Sequence, residues 1–73
     1  MNILKRLRAE KRFTLKELSL ASGVNINTIQ YLETEKTNAR VGTIARLATA
    51  LEVDIAVLEP LMHQVQSPLA DAA

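Results

Sequence analysis

The chain has 73 residues, 48% of them hydrophobic, a formal net charge of +1, no cysteine and a single histidine. A chain this short buries only about 60% of the surface it exposes when unfolded, which makes one thin-cored domain with no disulfide or thiolate metal site, and His63 alone cannot hold zinc. No apolar run approaches the roughly 20 residues of a membrane span and the start, MNILKRLRAEKR, is too charged for a signal peptide, so the expectation is a cytoplasmic protein with no membrane partner and no cofactor.

The first predicted helix carries Ile3, Leu4 and Leu7 at helical spacing. It is also the basic end of the chain: Lys5, Arg6, Arg8, Lys11 and Arg12 stand against Glu10, while everything after Phe13 sums to a net acidic charge. Such a run suits either a phosphate-facing surface or a solvated helix face. The second helix opens at a capping box, Thr14 with Glu17, stapled by Phe13 and Leu18, and runs through Leu15, Leu18 and Ala21 to Gly23. Gly23 suits the left-handed residue that ends a helix and turns the chain sharply.

A third helix follows an Asn25 cap with a Val24–Ile29 staple and places Ile26, Ile29 and Leu32 at helical spacing. The polar stretch TEKTNARVG separates it from a fourth helix expected at about 41–51, with Ile44, Leu47, Ala48 and Leu51 and with Asn38 as the ready cap. The fifth helix opens at Ile55 after an Asp54 cap and a Val53–Leu58 staple, and is expected to end or kink at Pro60. The remainder, MHQVQSPLADAA, reads as a frayed tail. Nothing alternates as a strand would, so the fold class is all-α.

Two short helices joined through a glycine, with Leu18, Gly23, Val24, Ile29 and Leu32 at the expected core and turn positions, describe a helix-turn-helix. Over about residues 3–59 the chain closely resembles the phage repressor/Cro (XRE) family, including Arg8 and Glu33 where the family places a structural ion pair and TIARLATALEVD where it places its fourth helix. The resemblance implies a compact five-helix, lambda-repressor-like bundle with the motif formed by helices 2 and 3. It implies a DNA-binding domain over 1–60 and a tail over 61–73 that contributes to a dimer contact.

On this resemblance the partner is double-stranded DNA and the protein is a homodimer. The third helix presents Asn25, Ile26, Asn27, Gln30 and Tyr31 to base edges, where Asn and Gln can pair with adenine and Ile26 can lie against a thymine methyl. For Asn25 helix capping comes before base contact, and for Tyr31 packing over Thr34 and the following loop is an equal alternative. Phosphate contacts fall to Thr14, Lys16, Thr28, Lys36, Asn38 and Arg40. The dimer contact falls to Ile55, Ala56, Glu59, Leu61 and Met62, with closure of the monomer core an equal alternative for Leu61 and Met62.

Three departures from the family pattern stand out. Leu15 occupies a position where a polar residue commonly meets DNA, Ala39 and Arg40 replace a proline and serine before the fourth helix, and Glu35 replaces a loop glycine. No serine has an evident base and the two glycines form no phosphate loop, so enzyme activity is not expected. The expected function is a dimeric repressor or autoregulator on a near-palindromic operator. The alternative, from another class, is an antitoxin-like or other interaction subunit that uses the same fold to assemble with a protein partner.

Overall fold

The computed structural model describes residues 2–65, and within them the chain forms five α-helices and no strand. Helix α1 spans Ile3–Glu10 and starts at Asn2, whose Oδ1 accepts from the Leu4 N–H at 2.8 Å and the Lys5 N–H at 3.2 Å. Helix α2, Leu15–Ser22, starts at the expected capping box: the Glu17 N–H donates to Thr14 Oγ1 at 3.0 Å, and the Thr14 N–H donates to Glu17 Oε1 at 2.8 Å. It ends at Gly23, whose φ of +76° lies in the left-handed region that a side chain disfavours.

Two serines close the turn that follows. Ser19 Oγ donates to the Val24 carbonyl at 2.6 Å, while Ser22 Oγ donates to the Leu18 carbonyl and accepts from the Val24 N–H. Helix α3, Ile26–Glu33, then opens under the Asn25 cap, which accepts from the Asn27 N–H at 2.8 Å.

Helix α4 spans Val41–Leu51, as the periodicity predicts, but its cap is not Asn38. Arg40 occupies the cap position and makes no side-chain cap bond. Asn38 lies two residues too early and its carboxamide is committed to the backbone of Val65. Helix α5, Ile55–Leu58, starts under Asp54, which accepts from the Ala56 N–H at 2.8 Å. At Pro60 the chain tightens into a 3-10 turn, Glu59–Met62, consistent with a ring that cannot continue the α-helix.

Helix α1 packs on α3, α2 on both α3 and α4, and α4 also on α5 and the 3-10 turn. Their shared core is Leu4, Leu18, Val24, Ile29, Leu32, Ile44, Leu47, Leu51, Leu58 and Leu61, with the staple residues Phe13 and Val53 packed against it. Ala21, although in periodic register, is exposed.

The frayed tail is corrected at its near end. Gln64 and Val65 are held by hydrogen bonds to Leu32, Thr37 and Asn38. The residues from 66 to 73, which carry Ser67 and Pro68, lie outside the described residues. No helix of the described residues is long and apolar enough to cross a membrane.

Candidate nucleic-acid interface

The turn at Gly23 sets α3 beside α2 with Ile29 and Leu32 fully buried. At a helical period, burying those two leaves Asn27, Gln30 and Tyr31 outward, and all three are exposed. Asn27 and Gln30 make no side-chain hydrogen bond among the described residues, so both carboxamides keep their full donor and acceptor capacity. Asn25 differs: its Oδ1 is engaged in the cap, leaving its amide hydrogens free. Ile26 is partly exposed at the start of the same helix.

Tyr31, 52% exposed, stands between two grooves. One, of about 390 Å³, lies between α1, the start of α2 and the end of α3, and is lined by Lys5, Leu15, Gln30, Tyr31, Thr34 and Lys36 with the Arg8–Glu33 pair. The other, of about 330 Å³, is lined by Thr28, Tyr31, Thr37, Asn38, Ala39, Arg40 and Thr43. The structure therefore brings Gln30, Tyr31 and Lys36 together on one side, and Thr28, Asn38 and Arg40 on the other. Thr14, Lys16, Asn25, Ile26 and Asn27 line neither groove; they are exposed around the starts of α2 and α3.

The Arg8 guanidinium spans from α1 to the last residue of α3. Its Nε donates to Glu33 Oε2 at 2.6 Å and its Nη2 to Glu33 Oε1 at 3.1 Å, while Nη1 donates to the Phe13 carbonyl at 2.9 Å. The side chains are 16% and 6% exposed. Hydrogen bonding to Glu33 raises the Arg8 pKa, against the lowering effect of burial, so the group stays charged. Arg8 is thus removed from the cations available to a polyanion, and Arg6 sits 3.9 Å from Glu10 in an exposed pair.

Lys5 is the residue that the sequence did not single out: it was one charge in a basic run, and only its position across the groove from Lys36 distinguishes it. Leu15, anomalous against the family pattern, is half-buried and packs on the core while forming the apolar wall of that groove. Glu35 adopts φ +60°, the conformation that a glycine would take freely.

Of the expected dimer residues, Ile55 is 49% exposed, and Ala56 and Glu59 are also exposed. Val57 joins them at 40%. Leu61 is corrected: it is 1% exposed and completes the core of the single chain, because the 3-10 turn after Pro60 swings it inward against α4. Met62 is half-buried against the same core, and His63 is exposed.

The family model that matches this chain is described as helix-turn-helix and covers residues 4–58. No curated protein and no solved structure matches. With its core, turn and exposed second motif helix in this arrangement, the chain belongs to the Cro/repressor-like (XRE) helix-turn-helix family, and residues 4–58 form a DNA-binding domain of the transcription-regulator type.

Proposed function

We propose that the protein is a sequence-specific, dimeric repressor or autoregulator that reads DNA with α3. The observation that carries the reading is a helix with its apolar side fully buried and its carboxamides, Asn27 and Gln30, uncommitted at the surface. A major groove about 12 Å wide admits one such helix, and a carboxamide with free donor and acceptor pairs bidentately with adenine N6 and N7. Ile26 lies against a thymine methyl, and Asn25 contributes its free amide hydrogens beside its capping role.

Phosphates on either side of the groove are held by the cations and hydroxyls that flank Tyr31. Lys5 and Lys36 serve one side, and Thr28, Arg40 and the one amide hydrogen that Asn38 does not give to Val65 serve the other. Thr14 accepts in its capping box and keeps its O–H for a phosphate oxygen, and Lys16 lies near the same helix start. With four cations per subunit, Lys5, Lys16, Lys36 and Arg40, a dimer should show a log–log salt slope of about −7.

Dimerisation rests on the exposed apolar residues of α5, Ile55, Ala56 and Val57, with Glu59 beside them and Met62 at the margin. Two α3 helices related by a two-fold axis would meet half-sites about 34 Å apart. The protein acts by occupying its operator, and the hydroxyls of Ser19 and Ser22 serve the turn between α2 and α3.

Selection of sites from randomised duplexes at about 100 mM salt, where the Debye length is about 10 Å, tests the reading. Enrichment of a two-fold-symmetric site supports it. Failure of a folded protein to enrich any site removes it, and leaves assembly with a protein partner, through exposed surface such as Leu20 on α2, as the reading to pursue.

A further inference from the structure

The loop from Thr34 to Arg40 carries Lys36, Asn38 and Arg40. Its start is tied to α3 by its own backbone, the Glu35 N–H donating to the Leu32 carbonyl at 3.3 Å and the Lys36 N–H to the Tyr31 carbonyl at 2.9 Å, but the stretch from Thr37 to Arg40 has little of its own to hold it in place. Ala39 is the one buried apolar side chain there, and a single methyl group cannot offset the conformational freedom lost on ordering four residues. Helix α4 adds no side-chain cap to tie the loop down.

The fixed points of this second half come from the chain that follows α5. The Ala39 N–H donates to the Leu61 carbonyl at 2.8 Å. Asn38 pairs with Val65 as a backbone would, accepting from its N–H at 2.7 Å and donating to its carbonyl at 2.9 Å. Gln64 makes the widest connection: Nε2 donates to the Thr37 carbonyl at 2.8 Å and to the Leu32 carbonyl at 2.9 Å, while Oε1 accepts from Asn2 Nδ2 at 3.1 Å. Asn2 Nδ2 donates in turn to the Leu32 carbonyl at 2.8 Å. One carboxamide thus joins the cap of α1, the last turn of α3 and the loop, and both of its amide hydrogens are used.

We infer that Gln64 is a positioning residue for DNA binding: its carboxamide fixes the Thr37–Arg40 part of the loop against α3, so that Asn38 and Arg40 are held ready for phosphates that Gln64 itself does not touch. The inference rests on the DNA reading proposed above. Its physical basis is preorganisation. A loop already ordered in the free protein gives up less freedom when it binds, and that difference appears directly in affinity. The core Leu32 and Leu61 side chains are buried with their neighbours on α1, α4 and α5, so loosening Gln64 frees the loop without opening the core.

The test takes the wild type, Gln64→Ala, Arg40→Ala and the double variant to a duplex selected by the wild type, at one salt concentration, with hydrogen exchange read at the amides of Lys36 to Arg40. The expected result for Gln64→Ala, which removes all three of its hydrogen bonds, is a cooperative thermal transition, faster exchange in the loop and DNA binding about tenfold weaker, as the loss of the one bond to the loop, to Thr37, implies. Because the two residues act on one contact, Gln64→Ala should cost markedly less in the Arg40→Ala background. Gln64→Glu keeps the acceptor for Asn2 but replaces the one nitrogen that donates to both carbonyls with an oxygen facing them, and should weaken binding at least as much. Unchanged loop exchange, unchanged affinity in Gln64→Ala, or the same loss with and without Arg40 overturns the inference while the DNA reading stands. A wild type that enriches no duplex removes the DNA reading, and the inference with it.

Discussion

Arg8 and Glu33 link α1 to α3 by two parallel hydrogen bonds in a site where the carboxylate side is 6% exposed. Removing the guanidinium strands that charge. Arg8→Ala should destabilise the fold by about 3 kcal/mol, at the low end for a broken buried pair, and lower the thermal midpoint by roughly 12–24 °C. Replacing both partners with apolar residues of similar size should recover most of the loss, and a single variant that keeps its midpoint would show the pair to be dispensable. At the surface of α3 the expected effects differ in kind. Asn27→Ala and Gln30→Ala should each cost about 1–3 kcal/mol per half-site and relax preference at one base pair in each, whereas Lys36→Ala, which removes one cation from each subunit, should weaken all sequences alike and reduce the dimer's salt slope by about 2. Glu35 combines a left-handed backbone with a negative charge beside Lys36. Glu35→Gly should stabilise the protein by about 0.5–1 kcal/mol by relieving the backbone, while Glu35→Gln should leave the midpoint in place and tighten DNA binding by removing the charge alone. Titrating DNA into both variants beside thermal melts separates the two causes.

At the scale of elements, what the sequence revealed was the helix starts that depend on one side chain reaching a nearby backbone N–H. Thr14 with Glu17, Asn25 and Asp54 act within two or three residues, and local spacing is enough to see them. Gly23 was legible for the same reason, since a left-handed φ is a property of the residue itself. What stayed hidden needed distant partners. Asn2 looks like any polar residue near a chain start until its bond to Leu32, thirty positions away, is seen. Asn38 had the composition of a cap but was claimed by Val65. Helix α4 consequently starts with no side-chain cap, and its second residue is Gly42, where an added Cβ meets nothing within 4 Å. Gly42→Ala should therefore raise stability by about 0.5 kcal/mol through lower freedom of the unfolded chain. A midpoint that falls instead would mean that the first turn of α4 is strained in a way its backbone does not show.

For the molecule as a whole, the bundle and its core followed from periodicity, while the surface did not. The apolar repeat marks Leu61 and Ile55 alike, and only the 3-10 turn at Pro60 separates them, sending one into the core and leaving the other exposed. The basic run behaves similarly: Arg8 is spent on Glu33, Arg6 lies beside Glu10, and Lys5 faces a groove, a division that charge counting cannot make. Ile55→Asp probes the proposed association. A carboxylate at the centre of an apolar contact should shift sedimentation toward the monomer and weaken binding to a two-half-site duplex at least tenfold, while affinity for a single half-site stays unchanged. Equal binding of the variant to the full site would place the contact between copies elsewhere.

The Asn2–Gln64 hydrogen bond also has a topological meaning. Residues 62 positions apart meet at 3.1 Å, so the polypeptide path over the described residues closes almost into a ring. A ring can be opened anywhere that its covering elements do not depend on continuity. The exposed turn at Lys11 and Arg12, between α1 and α2, is such a place. A circular permutant that starts at Arg12 and joins residue 65 to residue 2 through a short glycine-rich linker should fold with α3 and its neighbours unchanged. That rearrangement would make Asn2 and α1 follow Gln64 and Val65 in sequence as Asn2 already neighbours Gln64 in space, and would show that the order of helices along the chain is incidental to the surface that α3 presents.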